Sequence, residues 1–520
     1  MPRLPRFRSA ISGRMVLMSF SAFLVTAAAQ PARADYITPG LGADYTLDDL
    51  VAQSGGAVTG ADGQYQVNDS VVIAVNDALI IGPGSEIVFA SVAAALRLEI
   101  NGSLLVLGDQ PESILFTSLN QNPGDWAGID FRDTGPDSAC ELLYCSVEYA
   151  AIAIDVVYAD ATVDRCIIRY AGSKAVDLTG SGSTVTGCEI HHNEQQTIYM
   201  TLGSAPLIEG NHIHDNNLEN SSPYPFINIG LQGVNSPTIL SNTITGGNYM
   251  SGGIAIWNAS NAIIEGNHIE NCGYGILCYQ FDANPWIRNN VLLNNNIHPD
   301  TLNWGFGIAC NGQNAPIVTG NVIQGHWYGV ATINGGQPNL GDLVNDDPDD
   351  DGGNMFLGNG LGGQLYELYN NTNLDLMAQN NWWGTTDPGE IEDRIVHSVD
   401  DLTLGTVIYD PWMLEPPLAA PNAGDVAEPL VVLHPAHPNP FNPVTTLSFE
   451  LGRASRVELK IYDLAGRLVR VLLNAQLPEG IQRFRWDGKA DDGRSLPSGV
   501  YYYRVVAAGV QKTGSMVMLK

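Results

Sequence analysis

Short segments in which apolar and polar positions alternate recur along most of this chain. The first kind has the form x-N-x-I, or the same with cysteine at the second place. Its anchor positions are Cys145, Cys166, Cys188, Asn211, Asn242, Asn267, Asn290 and Asn321. Successive anchors lie 21, 22, 23, 31, 25, 23 and 31 residues apart. A near-constant period with occasional insertions is typical of a solenoid in which each repeat forms one coil.

A second alternating segment follows six of the eight anchors. These segments are residues 151–155, 175–179, 197–201, 253–257, 275–279 and 307–311. Side chains along a strand alternate between faces, so Ile154, Ile256 and Cys278 are expected to share one inward column. A single coil cannot bury its own apolar face, whereas stacked coils close a continuous core. The pattern predicts an all-β solenoid.

The flanking segments carry a family resemblance. They are "DALIIGPGSEIVF", "LRLEINGSLLVLG" and "ESILFTSLNQNPGDWAGIDF" before the repeats, and "NNWWGTTDPGEIEDRIVHSVDDLTLGTVIYDPW" after them. With the repeats, they resemble the right-handed parallel β-helix of the pectate-lyase-like superfold. The resemblance implies such a β-helix over residues 35–414, with a short helix near residues 391–396. It implies no chemistry, because this superfold hosts lyases, hydrolases, esterases and binding proteins.

The first 34 residues are predicted to be a signal peptide. Arginines precede an apolar run at residues 15–29, and residues 32–34 form an A-x-A cleavage site. No later run is long and apolar enough for a transmembrane helix, so an exported mature chain is expected. The segment holds five arginines and no acid, so its removal changes the formal net charge from −31 to −36.

Charge divides the remainder into two parts. Residues 35–433 contain 7 basic and 48 acidic residues, whereas residues 434–520 contain 12 basic and 7 acidic ones. The acidic part repels phosphate backbones, which argues against a nucleic-acid partner. It would bind a polyanionic glycan only through a bridging cation.

The basic part has its own pattern. Residues 415–436 are rich in proline and alanine and are predicted to be a linker, and residues 437–520 contain short strands typical of a β-sandwich. The motifs are "NPFNPVTTLSFEL", "VELKIYDLAGRLVRVL", "WDGKADDGRSLPSGVYYYRV" and a terminal "MVMLK". They resemble the immunoglobulin-like type IX secretion sorting domain (type A). The resemblance implies type IX machinery as a partner, passage across inner and outer membranes, and release or cell-surface anchoring.

The repeat anchors predict ladders along the solenoid. Stacked asparagines are expected to hydrogen-bond from coil to coil, and stacked cysteines are expected to remain thiols rather than disulfides. His212 and His214 flank the inward residue Ile213, so a solvated polar face is expected there. A metal site would need three converging ligands, and the neighbouring coils offer His191 and Glu270 in the row of His214.

The outward face of the second strand is the predicted groove. Aromatic, amide and hydroxyl side chains suit a sugar ring, which has an apolar face and a polar rim. The candidate glycan-binding residues are Tyr199, Asn228, Trp257, Tyr279 and Asn311. Asp155 and Asp177, expected one row apart on adjacent coils, are weak candidates for a catalytic acid and base. The signature motifs of polygalacturonases and pectate lyases are missing, and Gly325-His326-Trp327 is only a fragment of one.

An acidic segment provides the candidate cation site. Asp347, Asp349 and Asp351 fit the opening D-x-D-x-D-G of a calcium loop, although its twelfth-position glutamate is replaced by Gly358. The alternative is a coil turn with an insertion. Calcium bound here is expected to be structural.

These patterns predict a secreted or cell-surface protein that binds glycans or has a structural or adhesive role. The alternative is a polysaccharide lyase or glycoside hydrolase acting in the groove. Activity would require carboxylates or histidines with perturbed pKa values that converge on the groove. Binding requires only the aromatic row, and a purely structural stalk predicts no glycan affinity.

Overall fold

The computed structural model describes residues 35–90, 96–110, 113–132, 139–258, 260–417, 431–437, 439, 441–451, 454–463, 467–478, 480–491, 493–507 and 510–518. The predicted signal peptide and residues 418–430 of the predicted linker lie outside these ranges. The chain divides into two compact units, Met1–Ala420 and Pro421–Lys520, each of which is described by itself. In the described part, no helix combines the length and the apolarity that a membrane span requires.

The first unit is a solenoid, as the repeats predict, and its coils contribute strands to three sheets. Sheet A has 14 strands: Tyr36–Ile37, Val71–Ile73, Arg97–Ile100, Gly128–Arg132, Ile152–Val157, Lys174–Thr179, Gln196–Thr201, Pro225–Ile229, Gly252–Trp257, Ile276–Tyr279, Phe306–Asn311, Tyr328–Ile333, Leu368–Asn371 and Ile395–Val396. Sheet B has 11: Asp44–Tyr45, Ala78–Ile81, Ser103–Leu107, Cys140–Leu143, Thr162–Asp164, Thr184–Thr186, Leu207–Glu209, Thr238–Leu240, Ile263–Glu265, Trp286–Arg288 and Ile317–Thr319. Sheet C has 13: Val58–Ala61, Gln64–Val67, Ser85–Phe89, Ile114–Ser118, Cys145–Glu148, Ile167–Arg169, Glu189–His191, His212–His214, Thr243–Thr245, His268–Glu270, Val291–Leu293, Val322–Gln324 and Met355–Leu357. Pairing within the three sheets is parallel except between the first two strands of sheet C.

Shorter elements cover the ends of the solenoid. The helix Leu47–Gln53 begins with a capping box, because Thr46 accepts from the amide of Asp49 and the Asp49 carboxylate accepts from the amide of Thr46. The second helix is Pro388–Glu392, earlier than the predicted 391–396, where Ile395–Val396 instead joins sheet A. The remaining elements are the strand pairs Gly360–Leu361 with Gln364–Leu365 and Leu376–Met377 with Val407–Ile408, and the 3-10 turn Pro348–Asp350.

The core consists of aliphatic columns running through the coils. One column of sheet A reads Ile129, Ile154, Val176, Ile198, Ile227, Ile254, Ile276 and Ile308, and the next contains Val156, Ile256 and Cys278. The prediction that Ile154 and Ile256 share one column is therefore wrong, because the two residues lie in adjacent inward columns. Both belong to the same core cluster. Burying these side chains away from water is the main force that holds the coils together.

The predicted ladder of amides is present on the inner side of the turn that precedes sheet C. The Nδ2 of Asn211 donates to the Oδ1 of Asn242 at 2.9 Å, and the same bond continues through Asn267, Asn290, Asn321, Asn354 and Asn381. The N-terminal coils carry cysteines at this place, with 3.4 Å between the sulfur atoms of Cys145 and Cys166. All seven cysteines are buried, and none of them forms a disulfide.

The second unit is a β-sandwich, as predicted. One sheet contains Val431–His437, Thr445–Leu451 and Gly480–Trp486; the other contains Leu468–Leu477, Ser455–Asp463, Gly499–Ala507 and Val510–Met518. Its core includes Trp486, Phe449 and Tyr503. The first strand begins inside the predicted linker of residues 415–436, because it pairs antiparallel with Thr445–Leu451 and belongs to the sandwich.

Candidate functional site

A row of carboxylates lies on the outer face of sheet A, the face turned away from the core. Register pairs Glu99 with Asp130, Asp130 with Asp155, and Asp155 with Asp177, and Tyr199 and Asn228 continue the same row. Asp155 and Asp177 are therefore direct neighbours in one row, not one row apart as predicted. The backbone of Gly128 lies close to the following coil, where a Cβ atom on this residue would be 1.7 Å from the carbonyl oxygen of Ile152.

Three of the seven basic residues in the acidic part of the chain lie along this carboxylate row. The Nη2 of Arg132 contacts the Oδ2 of Asp155 at 2.5 Å and that of Asp130 at 3.4 Å. Lys174 pairs with the Oδ2 of Asp177 at 2.5 Å, and Arg97 lies 3.9 Å from the Oδ2 of Asp130. Stacked carboxylates repel each other across neighbouring strands, and these cations offset that repulsion. We call this set the charged half of the face.

Two carboxyls of the charged half have perturbed pKa values. Burial raises the pKa of Asp130 to about 6, although Arg132 opposes the rise. Burial also raises the pKa of Asp177, while Lys174 acts in the opposite direction. Within the described residues, the Oδ1 of Asp177 and the Nη1 of Arg132 are buried without a hydrogen-bond partner. Perturbed, incompletely satisfied groups of this kind cluster at functional sites.

The other half of the same face is aromatic. In the coils after Asn228, the carboxylate row continues as Ala255, Leu277, Ala309 and Ala331. Around these small side chains, Tyr274, Phe306, Tyr328, Tyr366 and Tyr369 form an apolar cluster that is separate from the core. Trp257 packs against this cluster, and Tyr279 contacts Trp257 edge to face with ring centroids 5.0 Å apart; both rings are partly exposed. We call this set the aromatic half.

The five candidate glycan-binding residues are placed on this face, with different accessibility. Tyr199, Trp257 and Tyr279 are partly exposed, and the ammonium of Lys174 lies 4.5 Å from the ring centroid of Tyr199. Asn228 and Asn311 are buried at 8% exposure. The Oδ1 of Asn311 accepts from Asn334, so its amide supports the neighbouring coil.

The acidic segment forms a turn rather than a ring of converging carboxylates. Asp347 caps the 3-10 turn by accepting from the amide of Asp349, and both side chains are exposed. The buried carboxylate is that of Asp350, whose Oδ2 accepts from Asn339 and Asn345. Among the described residues, the carboxylates of Asp347, Asp349 and Asp351 do not form a group of convergent metal ligands. Calcium at this segment stays a prediction without geometric support.

His326 belongs to the scaffold. It is fully buried, its Nδ1 accepts from the amide of Asn295, and its Nε2 donates to the carbonyl of Leu292. The backbone amide of His326 donates to the Oδ1 of Asn359. The histidine therefore takes a ladder position between Asn295 and Asn359.

Sequence reasoning missed Asp130 and Arg132. Their strand follows Trp126-Ala-Gly and lacks the anchor unit that marks the later coils. The repeat pattern therefore does not include this strand. One signal was available, namely alternation of Ile129 and Phe131 with the two charged residues. That alternation places both charges outward in a coil directly before Asp155.

Comparison with known proteins agrees with this architecture. The family model for the right handed beta helix region matches residues 128–224 and 151–341, and the FlgD Ig-like domain model matches residues 441–510. Together with the three stacked sheets, these matches define the class: an all-β protein with a right-handed parallel β-helix followed by an immunoglobulin-like domain.

Particular relatives are distant or cover little of the chain. The basal-body rod modification protein FlgD of Salmonella typhimurium is 40% identical over 55 residues, which cover 11% of this chain and 24% of FlgD. The FlgD of Salmonella typhi matches equally, so the chain spans about a quarter of the length of these curated relatives.

The solved structures that match this chain have low sequence identity to it and low TM-scores. A mutant of the periplasmic alginate epimerase AlgG has 12% identity, covers 72% of this chain and 82% of its own, and has a TM-score of 0.45. Bacteriophage CBA120 tailspike protein 2 has 11% identity, covers 87% and 71%, and has a TM-score of 0.31. PorZ, a type-IX secretion component of Porphyromonas gingivalis, has 23% identity, covers 17% and 11%, and has a TM-score of 0.14.

Proposed function

We propose that this protein binds a neutral glycan along the outer face of sheet A. The supporting observation is that one continuous face carries both partly exposed aromatic rings, at Trp257 and Tyr279, and a row of charged groups that includes Asp155 and Asp177. A sugar ring has an apolar face that stacks on an aromatic side chain and hydroxyls that bond to carboxylates.

The charge of the face determines the class of glycan. The acidic part of the chain holds 48 acidic residues against 7 basic ones, and the three cations of the charged half already pair with carboxylates. A polyanionic chain would meet uncompensated carboxylates, whereas neutral hydroxyls donate to them. We therefore expect neutral polysaccharides to be preferred over uronate-rich or sulfated ones.

A glycan array followed by calorimetric titration of the positive oligosaccharides tests the proposal. Trp257→Ala and Tyr279→Ala are each expected to weaken binding at least tenfold, because each removes a stacking surface. The matched control is Trp286→Ala, since Trp286 is a partly exposed tryptophan facing outward on sheet B. It should leave affinity unchanged. The proposal would be refuted if no glycan binds, or if Trp286→Ala loses as much affinity as the two groove variants.

Hydrolysis of the bound glycan is the second candidate function, and the pKa of Asp130 favours it. A carboxyl that stays protonated up to about pH 6 can donate its proton to a glycosidic oxygen, while the neighbouring carboxylate of Asp155 acts as nucleophile or base. A polysaccharide panel assayed for reducing ends and for unsaturated products separates hydrolysis from elimination. If the protein hydrolyses the glycan, new reducing ends should appear without unsaturated products. The Asp130→Asn variant should not produce them. No product from any polysaccharide leaves binding as the function.

We also propose that residues 437–520 direct export through a type IX secretion system. Support comes from the quoted motifs and from the immunoglobulin-like sandwich they form. The full chain and a chain ending at residue 436 would be expressed in a bacterium that has this system, and in a mutant lacking it. Only the full chain in the competent host should reach the cell surface or medium. Surface delivery of the truncated chain would contradict this role.

A further inference from the structure

A compact group of histidines and carboxylates lies on the outer face of sheet C, away from the proposed groove. Glu189 and His212 are register partners on adjacent coils, as are His191 and His214. The ligand atoms of Glu189, His212 and His214 all lie within 4.8 Å of one another. The expectation of an ordinary polar face did not include Glu189, which lies in the row of His212 and completes three convergent ligands.

The distances suit a single ion. The Nε2 of His214 is 3.3 Å from the Oε1 of Glu189, about the separation of two ligands that share a metal at roughly 2.1 Å each. The rings of His212 and His214 have centroids 4.3 Å apart. The ring of His191 also stacks on that of His214, with centroids 5.1 Å apart, and this contact limits where the His214 ring can turn.

A second carboxylate orients His214. Its Nδ1 lies 2.9 Å from the Oδ2 of Asp215, so a neutral imidazole donates from Nδ1 and keeps the lone pair on Nε2. That lone pair then faces an oxygen of Glu189, and two acceptors face each other. A second proton or a cation must lie between them. Carboxylate, histidine and metal in this order are a common arrangement in metalloproteins.

We propose that Glu189, His212 and His214 bind a divalent transition metal ion of the imidazole-preferring class, such as Zn²⁺. Two nitrogens and one carboxylate oxygen are a ligand set typical of zinc, and three protein ligands leave one coordination position open. Since the ligands come from two adjacent coils, the ion would also link those coils.

Titration of the tag-free, chelator-treated full chain with Zn²⁺ tests the site, and visible absorption of the Co²⁺ form reports coordination. We expect one equivalent of Zn²⁺, with affinity at least tenfold lower in His212→Ala and His214→Ala. Asp215→Asn is expected to weaken binding by about 10-fold or more without removing a ligand, because it releases the orientation of His214. Zn²⁺ should raise the thermal midpoint of the wild type and not that of His214→Ala.

The matched control is His268→Ala. His268 lies in the same row as His212, two coils further on, with Thr243 between them, and is not part of the group. Its removal should leave stoichiometry and affinity unchanged. No saturable binding would show that a proton bridges His214 and Glu189, and equal affinity in His214→Ala would show nonspecific surface binding; either result overturns the proposal. Circular dichroism of each variant checks that the coils are folded.

Discussion

The charged and aromatic halves of sheet A are built on the same backbone register and use opposite physical devices. From Glu99 to Asp177 the central outward row carries acids, each adjacent to a cation. From Ala255 to Ala331 the same row carries small apolar side chains beneath aromatic rings. One coil geometry therefore supports either chemistry. What differs is how the outward side chains are stabilised, by ion pairing in one half and by burial in the other.

This difference has a consequence for binding. The rings of the aromatic half bury one another, whereas Trp257 packs against them and stays partly exposed together with Tyr279, which it contacts. The charged half retains buried polar atoms without partners, such as the Oδ1 of Asp177. A glycan spanning both halves would stack on one and hydrogen-bond to the other. The stability of each half can be perturbed separately.

Truncation in the aromatic half should have the largest effect. Phe306 is 5% exposed and stacks on Tyr328 with centroids 5.5 Å apart. Phe306→Ala should lower the free energy of unfolding by about 3–4 kcal/mol, because it leaves a cavity among the rings. Chemical denaturation measures this. Phe281→Ala, at a side chain 55% exposed, should cost less than about 0.5 kcal/mol, and similar costs at both sites would mean that the outer cluster is not packed.

Removing the shared cation should perturb the charged half by less. Arg132→Ala leaves Asp130 and Asp155 facing each other, and we expect a loss of about 2–3 kcal/mol at neutral pH. The comparison variant is Arg288→Ala on sheet B, whose pair with Glu265 is one-third exposed on both sides. That pair should contribute less than about 1 kcal/mol. Equal losses in the two variants would contradict the special role of the charged half.

The raised pKa of Asp130 predicts a smaller, pH-dependent effect. The folded protein holds this proton up to about pH 6, whereas the unfolded chain releases it near pH 3.8. The contribution of Asp130 to the free energy of unfolding is therefore most favourable at low pH and falls as the pH rises from about 4 to 6. The free energy of unfolding of the wild type minus that of Asp130→Asn, each measured by urea denaturation, should decline by about 2 kcal/mol over that interval. A difference that stays flat would place the Asp130 pKa near its ordinary value.

Local pattern predicted the architecture because it is repeated. Ile254 and Ile276 recur one coil apart with the same neighbours, so stacking them requires only the period and the alternation of a strand. The sandwich strands Thr445–Leu451 and Gly499–Ala507 were predictable for a different reason, because each begins after a proline- or glycine-containing turn in the quoted motifs and alternates apolar with polar residues.

The site was predicted less well because it depends on register. In Ile152–Val157 apolar residues fill several alternate positions, so the sequence permits the inward pair to be Ile152 and Ile154 or Ile154 and Val156. The register with the neighbouring strands decides between them, because Ile154 pairs with Ile129 and Val176, and no local pattern reveals that register. Glu189 and His214 are 25 residues apart, and their proximity likewise follows only from stacking.

Hydrogen exchange measured by mass spectrometry on the full chain, with and without the tightest-binding neutral oligosaccharide, tests the central claim most directly. The account predicts protection confined to sheet A peptides covering residues 152–157, 174–179, 252–257 and 276–279. Strands of sheets B and C in the same coils should be unchanged. Protection centred on sheet B or on the C-terminal domain, with none in sheet A, would contradict it.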